Sequence, residues 1–236
     1  MKKVLITGNS GYIGSHLSKL LDGQYELYGL DRIDPQHNVK KHYKLDIKSL
    51  LNIKEEFDAI VHLAALVNVG ESELQPTDYY MTNLFGTLNI LQHIKTKNFI
   101  FASTGAAEKC ESAYGVSKRA TEDCVREWCD YLKLPYTIFR FYNVIGTDGT
   151  IQPTNPDGLF SNLIKAESTN TFNLYGDDYN TKDGTCVREY VHVLDICRAL
   201  MEAIDIPSEN HIENLAYGDT RTVLEIFNLF CKVNEV

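Results

Sequence analysis

The chain has 236 residues, enough to bury a sizeable core as one large domain or as one domain with a small lobe. With 44% hydrophobic and 23% charged residues it has the composition of a soluble globule. A formal net charge of -9 argues against a nucleic-acid binder, which normally shows a basic face. It leaves an anionic small ligand open, because backbone N–H groups and a few arginines can hold a phosphate locally.

The N-terminus runs from Lys2 and Lys3 straight into the apolar Val4–Ile6, then Thr7 and Gly8. That run is too short for a signal peptide, and no later stretch approaches the ~18 continuous apolar residues of a membrane span. Strands are expected at Val4–Ile6, Glu26–Leu30, Ala59–Leu63, Phe99–Ala102 and Thr137–Phe141, with helices at Ile13–Leu21, Tyr79–Ile94 and Ala113–Leu132 between them. Strands this apolar are buried on both faces, which predicts an α/β fold with a parallel sheet sandwiched by helices. After Asn143 the texture changes: Pro153, Pro156 and several Gly and Asn residues predict irregular chain. Short elements at Leu159–Ala166, Asn173–Tyr175 and Val193–Ile204 and a last helix at Val223–Lys232 follow, and predict a small lobe over the C-terminal edge of the sheet. The six cysteines show no Cys-x-x-Cys pair and no histidine at ligand spacing, so free thiols, a cytoplasmic location and no metal site are expected.

Strand Val4–Ile6 enters Gly8-Asn9-Ser10-Gly11-Tyr12-Ile13-Gly14 and then a helix. Glycines so placed let the backbone turn tightly and approach a pyrophosphate, which the helix N-terminus stabilises. Asp31 ends the next strand about 20 residues on, where an acidic residue takes ribose hydroxyls and repels a 2′-phosphate, which favours NAD over NADP. Asp46 and Ile47 follow a third short strand at the expected place of adenine contacts. Leu63, Ala64 and Ala65 permit close packing against a flat cofactor, and His62 beside them is expected to be structural. The expected fold is therefore a Rossmann-type doubly wound sheet, with an NAD-binding domain over 1–150 and a smaller substrate-binding lobe over 151–236.

Ser112 reads as the cap of a helix that places Tyr114 and Lys118 one turn apart on one face. A phenol titrates near ~10, so a base at neutral pH needs a neighbouring cation, and Lys118 and an oxidised nicotinamide are the candidates. Ser103 and Thr104 end the preceding strand, and the Thr104 hydroxyl can share a proton with a substrate oxygen that Tyr114 deprotonates.

The glycine turn, Asp31, His62-Leu63-Ala64-Ala65, Asn83, Ser103-Thr104 and the Tyr114…Lys118 pair together resemble the extended short-chain dehydrogenase/reductase family, and within it the NAD-dependent epimerase/dehydratase branch. The similarity reaches the UDP-glucose 4-epimerases through Val69-Gly70-Glu71-Ser72, Tyr79-Tyr80, Gly86-Thr87-Leu88, Phe141-Tyr142-Asn143 and Tyr175-Gly176-Asp177 through Arg188 to Asp195. It implies an NAD-dependent nucleotide-sugar epimerase acting on UDP-glucose and UDP-galactose at C4 through a 4-keto sugar. By that resemblance Tyr114, Lys118 and Thr104 are catalytic, and Asn83, Ser103 and Tyr142 join the glycine turn with Tyr12, Ile13, Asp31, Asp46, Ile47, Leu63, Ala64 and Ala65 around NAD. Thr104, Asn143, Leu159, Tyr175 and Arg188 would bind the UDP-sugar, and the two long helices would pair in a homodimer.

Some positions depart from that pattern. Val67 stands where the family carries a lysine near the pyrophosphate, Gly158 where it has an asparagine, and the stretch from Thr104 to Tyr114 is short. The C-terminal lobe is expected to be shortened as well. A dehydratase would follow the active-site threonine with Asp-Glu, whereas Thr104 precedes Gly105-Ala106-Ala107. A reductase commonly takes NADPH, which Asp31 disfavours. A non-catalytic NAD-binding module would have no need of Tyr114, Lys118 and Thr104 together.

Overall fold

The computed structural model describes residues 1–151, 158–207 and 210–234. Pro153, Pro156 and the last two residues of the expected 151–236 lobe lie outside them. The chain starts with β1 (Lys3–Thr7), α1 (Tyr12–Leu21), β2 (Glu26–Asp31) and β3 (Lys41–Lys44). It continues through β4 (Glu56–Phe57), β5 (Ala59–His62), α2 (Val69–Leu74), α3 (Pro76–Tyr79), a π-helical stretch (Tyr80–Phe85) and α4 (Gly86–His93). Next come β6 (Lys95–Thr96), β7 (Phe99–Thr104), α5 (Ala106–Lys109), α6 (Ala113–Leu132) and β8 (Tyr136–Phe141). The C-terminal part holds β9 (Asn143–Ile145), α7 (Leu159–Thr169), β10 (Val187–His192), α8 (Val193–Asp205), β11 (His211–Leu215), β12 (Thr220–Thr222) and α9 (Val223–Asn234).

Seven strands form one parallel sheet in the order β3-β2-β1-β5-β7-β8-β11, a Rossmann-type doubly wound arrangement. The chain builds outward from β1 through β2 to β3, then crosses back to β5 and builds the other way. The switch point between β1 and β5 opens a crevice at their carboxyl ends. Neighbouring side chains on β1 show why both faces are covered. Val4 and Ile6 join Leu17 and Leu21 of α1 and Ile196 and Leu200 of α8 in one core. Leu5, between them, joins Ile90 of α4 and Val125 and Cys129 of α6 in the other. A smaller sheet pairs β10 with β9 in parallel and with β12 antiparallel.

The five expected strands and the helix over Ala113–Leu132 are present, the helix capped where Gly115 N–H donates to Ser112 Oγ at 3.0 Å. Two expectations need refinement. The helix over Tyr79–Ile94 begins earlier, at Pro76, and contains a π-helical turn over Tyr80–Phe85 with helical backbone angles at both of its ends. Asn173–Tyr175 is irregular chain rather than a short regular element. The seventh sheet strand, β11, was not legible: His-Ile-Glu-Asn-Leu lacks an apolar run because it is a half-exposed edge. With α8 beneath the sheet and β11 at its edge, the C-terminal chain threads back into the main layer.

Candidate active site

The glycine turn closes the end of β1 against β2 and β5. Gly8 N–H donates to Leu30 O at 2.8 Å, and Gly8 sits at φ +73°, where a Cβ would lie 2.8 Å from the backbone nitrogen of Ala64. Gly11 N–H donates back to Gly8 O at 3.1 Å, and Gly11 O accepts from Ser15 N to start α1. At Gly14 a Cβ would meet Gly8 O at 2.1 Å, so only glycine lets the helix pack on its own turn. Asp31 stands across from this turn, its carboxylate accepting from Ser10 N at 3.1 Å and Ile33 N at 3.3 Å.

Between them lies a cleft of about 220 Å³. Eight expected cofactor residues line it: Gly8, Gly11, Asp31, Asp46, Ile47, Leu63, Ala64 and Ala65. Arg32, next to Asp31, lines it too, as do Leu66 and Thr82, which were missed, since nothing in their local sequence marks a loop-end or helix position as facing a ligand. Tyr12, Ile13 and Gly14 form the first turn of α1, whose N–H groups have no partners within the helix and present its positive end. The Tyr12 hydroxyl donates to Gly146 O, and Ile13 packs on the core.

Asn83 does not turn its amide to the cleft. It accepts from Leu66 N at 2.8 Å and donates to Leu66 O at 3.0 Å and Ser117 Oγ at 3.1 Å, so it fixes the rim of the cleft from behind. Ser103 Oγ likewise donates to the Glu122 carboxylate at 2.5 Å. The side chains of both expected cofactor residues are therefore committed within the protein. His62 is held between Thr7 Oγ at 2.6 Å and Thr87 Oγ at 2.9 Å, and burial lowers it to about 3, so it is neutral.

At the end of β7 the Thr104 side chain lies beside the Tyr114 hydroxyl, and both Tyr114 and Lys118 are buried on one face of α6. Burial pushes the Tyr114 phenol up to about 12, against a smaller lowering by the Thr104 side chain. The expected help from Lys118 is absent here: its ammonium donates to Ala102 O at 2.6 Å and lies 4.1 Å from the Phe101 ring centroid. Burial lowers Lys118 itself to about 7, with Glu122 one turn on pulling it up. A lysine that prefers a carbonyl on the neighbouring strand leaves the phenol to its dry surroundings, which favour the neutral form.

The small sheet brings Asn143 and Arg188 together, with the start of α7 beside them, but not Tyr175. Asn143 pairs in register with Tyr190, and Arg188, two residues before Tyr190, shares that face. Phe160, next to Leu159, packs edge-on against Tyr190 with ring centroids 6.2 Å apart, which brings the start of α7 to the same place. Asn143 donates to Glu189 O at 2.9 Å. Among the described residues Arg188 pairs with no carboxylate, neither Glu189 nor Asp177, and bonds its own strand at Val187 O. Arg221 of β12, missed in the sequence, stands opposite Arg188 in the antiparallel register. Tyr142 lies against Gly105, where a Cβ would be 2.7 Å from its ring, and Tyr175 is 77% exposed in irregular chain.

Residues 4–216 match the model of the NAD dependent epimerase/dehydratase family. The chain is 32% identical over 280 residues to UDP-glucose 4-epimerase of Haemophilus influenzae, covering 99% of this chain and 83% of that protein. It is similar to the solved UDP-Glc/GlcNAc 4-epimerase of Campylobacter jejuni at 31% identity and TM-score 0.79, over all of this chain and 84% of the other. UDP-glucose 4-epimerase of Bifidobacterium longum, solved in complex with NAD+ and UDP, aligns at 25% identity and TM-score 0.84 over 99% of this chain and 83% of that one.

Proposed function

The chain belongs to the NAD dependent epimerase/dehydratase family, and on that premise we propose that it is an NAD-dependent epimerase that interconverts UDP-glucose and UDP-galactose at C4 through a 4-keto sugar. The observation that carries this reading is the Tyr114–Thr104 hydroxyl pair, at the carboxyl edge of the sheet that also bears the glycine turn.

The cleft suits NAD: a side chain on Gly8 or Gly14 would collide with backbone, and Asp31 is aimed across the turn. In the proposed complex the turn and the α1 N-terminus, with Tyr12 and Ile13, hold the pyrophosphate. Asp31 takes the adenosine ribose, Asp46 and Ile47 flank adenine, and Leu63, Ala64 and Ala65 face the flat part of the cofactor. Lys118 and Tyr142 lie toward the nicotinamide end, and Asn83 and Ser103 hold the rim. NAD, when bound, supplies the hydride acceptor and a positive ring beside the phenol. Tyr114 takes the proton of the sugar 4-hydroxyl and later returns it, while Thr104 orients the 4-oxygen. Bringing a phenol from about 12 to neutrality takes about five pH units, or roughly 7 kcal/mol, so a nearby cation is obligatory. Asn143, Leu159, Tyr175 and Arg188 hold the nucleotide while the 4-keto sugar turns to present its other face. Arg188 suits the diphosphate because its planar fork has no carboxylate partner among the described residues.

The same reading assigns residues 1–150 to cofactor binding and the chain from 151 onward to substrate binding. Apolar side chains exposed on the helices packed outside the sheet, among them Met81, Phe85 and Val116, support a homodimer. The six cysteines are free thiols, which supports a cytoplasmic location. Among the described residues no helix is long and apolar enough to cross a membrane.

The test incubates the purified protein with UDP-glucose and separately with UDP-galactose, with and without added NAD, and separates the products. Interconversion that Tyr114→Phe abolishes is expected. Bound NAD with neither sugar turned over would overturn the choice of substrate.

A further inference from the structure

We propose that Glu122 is a positioning residue for the reactive pair: its buried carboxylate ties the end of β7 to α6 and places a negative charge one helical turn from Lys118. The task of Lys118 in this statement rests on the function proposed above; the charge coupling does not.

Glu122 has a fully buried side chain, yet each of its oxygens is used. Oε1 accepts from Ser103 Oγ at 2.5 Å and Arg140 Nε at 2.9 Å, and Oε2 from Arg140 Nη2 at 2.7 Å. Stability alone does not explain such a pair, because well-packed apolar residues in place of a buried ion pair are often as stable. Its location does. Ser103 is the residue before Thr104, and Glu122 lies four residues beyond Lys118 and eight beyond Tyr114 on one helix. The carboxylate therefore pins the strand end carrying the Thr104 hydroxyl to the helix carrying Tyr114. Arg140 also donates to Glu108 Oε1 at 3.0 Å, on the short connection between Thr104 and Tyr114, and Glu108 takes Asn214 Nδ2 at 3.0 Å as well.

Two carboxylates thus share one guanidinium, and the buried one of the two, Glu122, lies one turn from Lys118. The other ionisable groups around this lysine do little for it: His62 of β5 is neutral, Tyr114 of α6 is a neutral phenol, and β7 offers a carbonyl and the Phe101 ring. Arg140 of β8 approaches through Glu122 and Glu108. Burial draws Lys118 to about 7 even with Glu122 in place. At a separation of one helical turn, losing that charge is expected to move the lysine lower by about one to two pH units.

The test follows the Lys118 Cε resonance against pH by NMR in the whole chain labelled with 13C-lysine, alongside NAD binding and melting temperature. Four proteins are compared with the parent: Glu122→Gln, Glu122→Gln with Arg140→Gln, Glu122→Asp and Ser103→Ala. In Glu122→Gln, where Arg140 keeps Glu108 as its partner, the midpoint of titration is expected to fall by about one to two pH units, with the alkaline loss of NAD affinity moving alongside. The double variant removes one charge of each sign, so its midpoint should lie between that of Glu122→Gln and the parent's. Glu122→Asp, which keeps the charge, should hold the midpoint. Ser103→Ala should hold it too while lowering kcat several-fold, since it cuts only the tie to β7. An unmoved midpoint in Glu122→Gln, with melting near the parent's, makes the network purely structural and overturns the proposal. If Glu122→Gln does not fold, an unchanged kcat in Ser103→Ala overturns the positioning role. A parent that binds no NAD, with the midpoint still shifting in the variants, defeats the cofactor reading and leaves the coupling standing.

Discussion

At the proposed cofactor end of the site the chain is closely packed backbone. Gly8, Gly11 and Gly14 bond or abut one another and Ala64, and Asp31 is held by two main-chain N–H groups. At the proposed substrate end, Arg188 is exposed on a short strand that pairs with the one carrying Asn143, and Tyr175 sits in irregular chain. The first end is built before any ligand arrives. The second presents long side chains whose positions depend on what they hold. A change at the rigid end should therefore damage the fold and the cofactor site together, whereas one at the open end should change substrate affinity alone.

Gly14→Val is the hardest test of the rigid end. Its Cβ would lie 2.1 Å from Gly8 O, so a loss of about 4–5 kcal/mol in chemical denaturation is expected, together with loss of NAD binding. A folded variant with parental NAD affinity would show that the turn yields after all. Tyr114→Phe should come next, lowering turnover about 10³-fold, roughly 4 kcal/mol, with NAD binding retained in titration. Arg188→Gln probes the open end: KM for the UDP-sugar should rise about 10- to 100-fold, roughly 1.5–3 kcal/mol. Its kcat and melting temperature should stay near the parent's, and a drop in melting temperature would mean that the arginine is structural.

The smallest effect concerns Lys118 and has a definite sign. Its folded value is about 7 against an ordinary 10.5. Between those pH values the unfolded chain holds a proton that the folded chain has shed, so this group makes stability rise with pH. Lys118→Met should flatten that rise and leave the chain about 1–2 kcal/mol more stable than the parent below pH 7. Denaturation at pH 6 and pH 9 measures it, and parallel pH profiles for the two proteins would refute the depressed lysine.

How much of this was legible in the sequence varied in the same way. Apolar runs such as Val4–Ile6 and Phe99–Ala102 marked central strands, because a parallel strand covered on both faces must be apolar throughout. The glycine spacing, Asp31 and the Ser112 cap were readable because each rule is local: a turn angle, a strand end, a helix start. Edge strand β11 was not, since it depends on a partner distant in the chain, and no local residue marked the π-helical turn inside the helix over Tyr79–Ile94.

The sequence by itself determined the order of the central apolar strands and of the helices between them, the glycine turn and the placing of Tyr114 and Lys118 one helical turn apart, because periodicity and spacing act within a few residues. Only the tertiary structure decided that Ser103 and Asn83 turn to Glu122 and Leu66, that Lys118 reaches Ala102 rather than Tyr114, and that Arg221 stands opposite Arg188. Those outcomes depend on which groups burial deprives of water and which donors lie within about 3 Å, and residues far apart in sequence decide both.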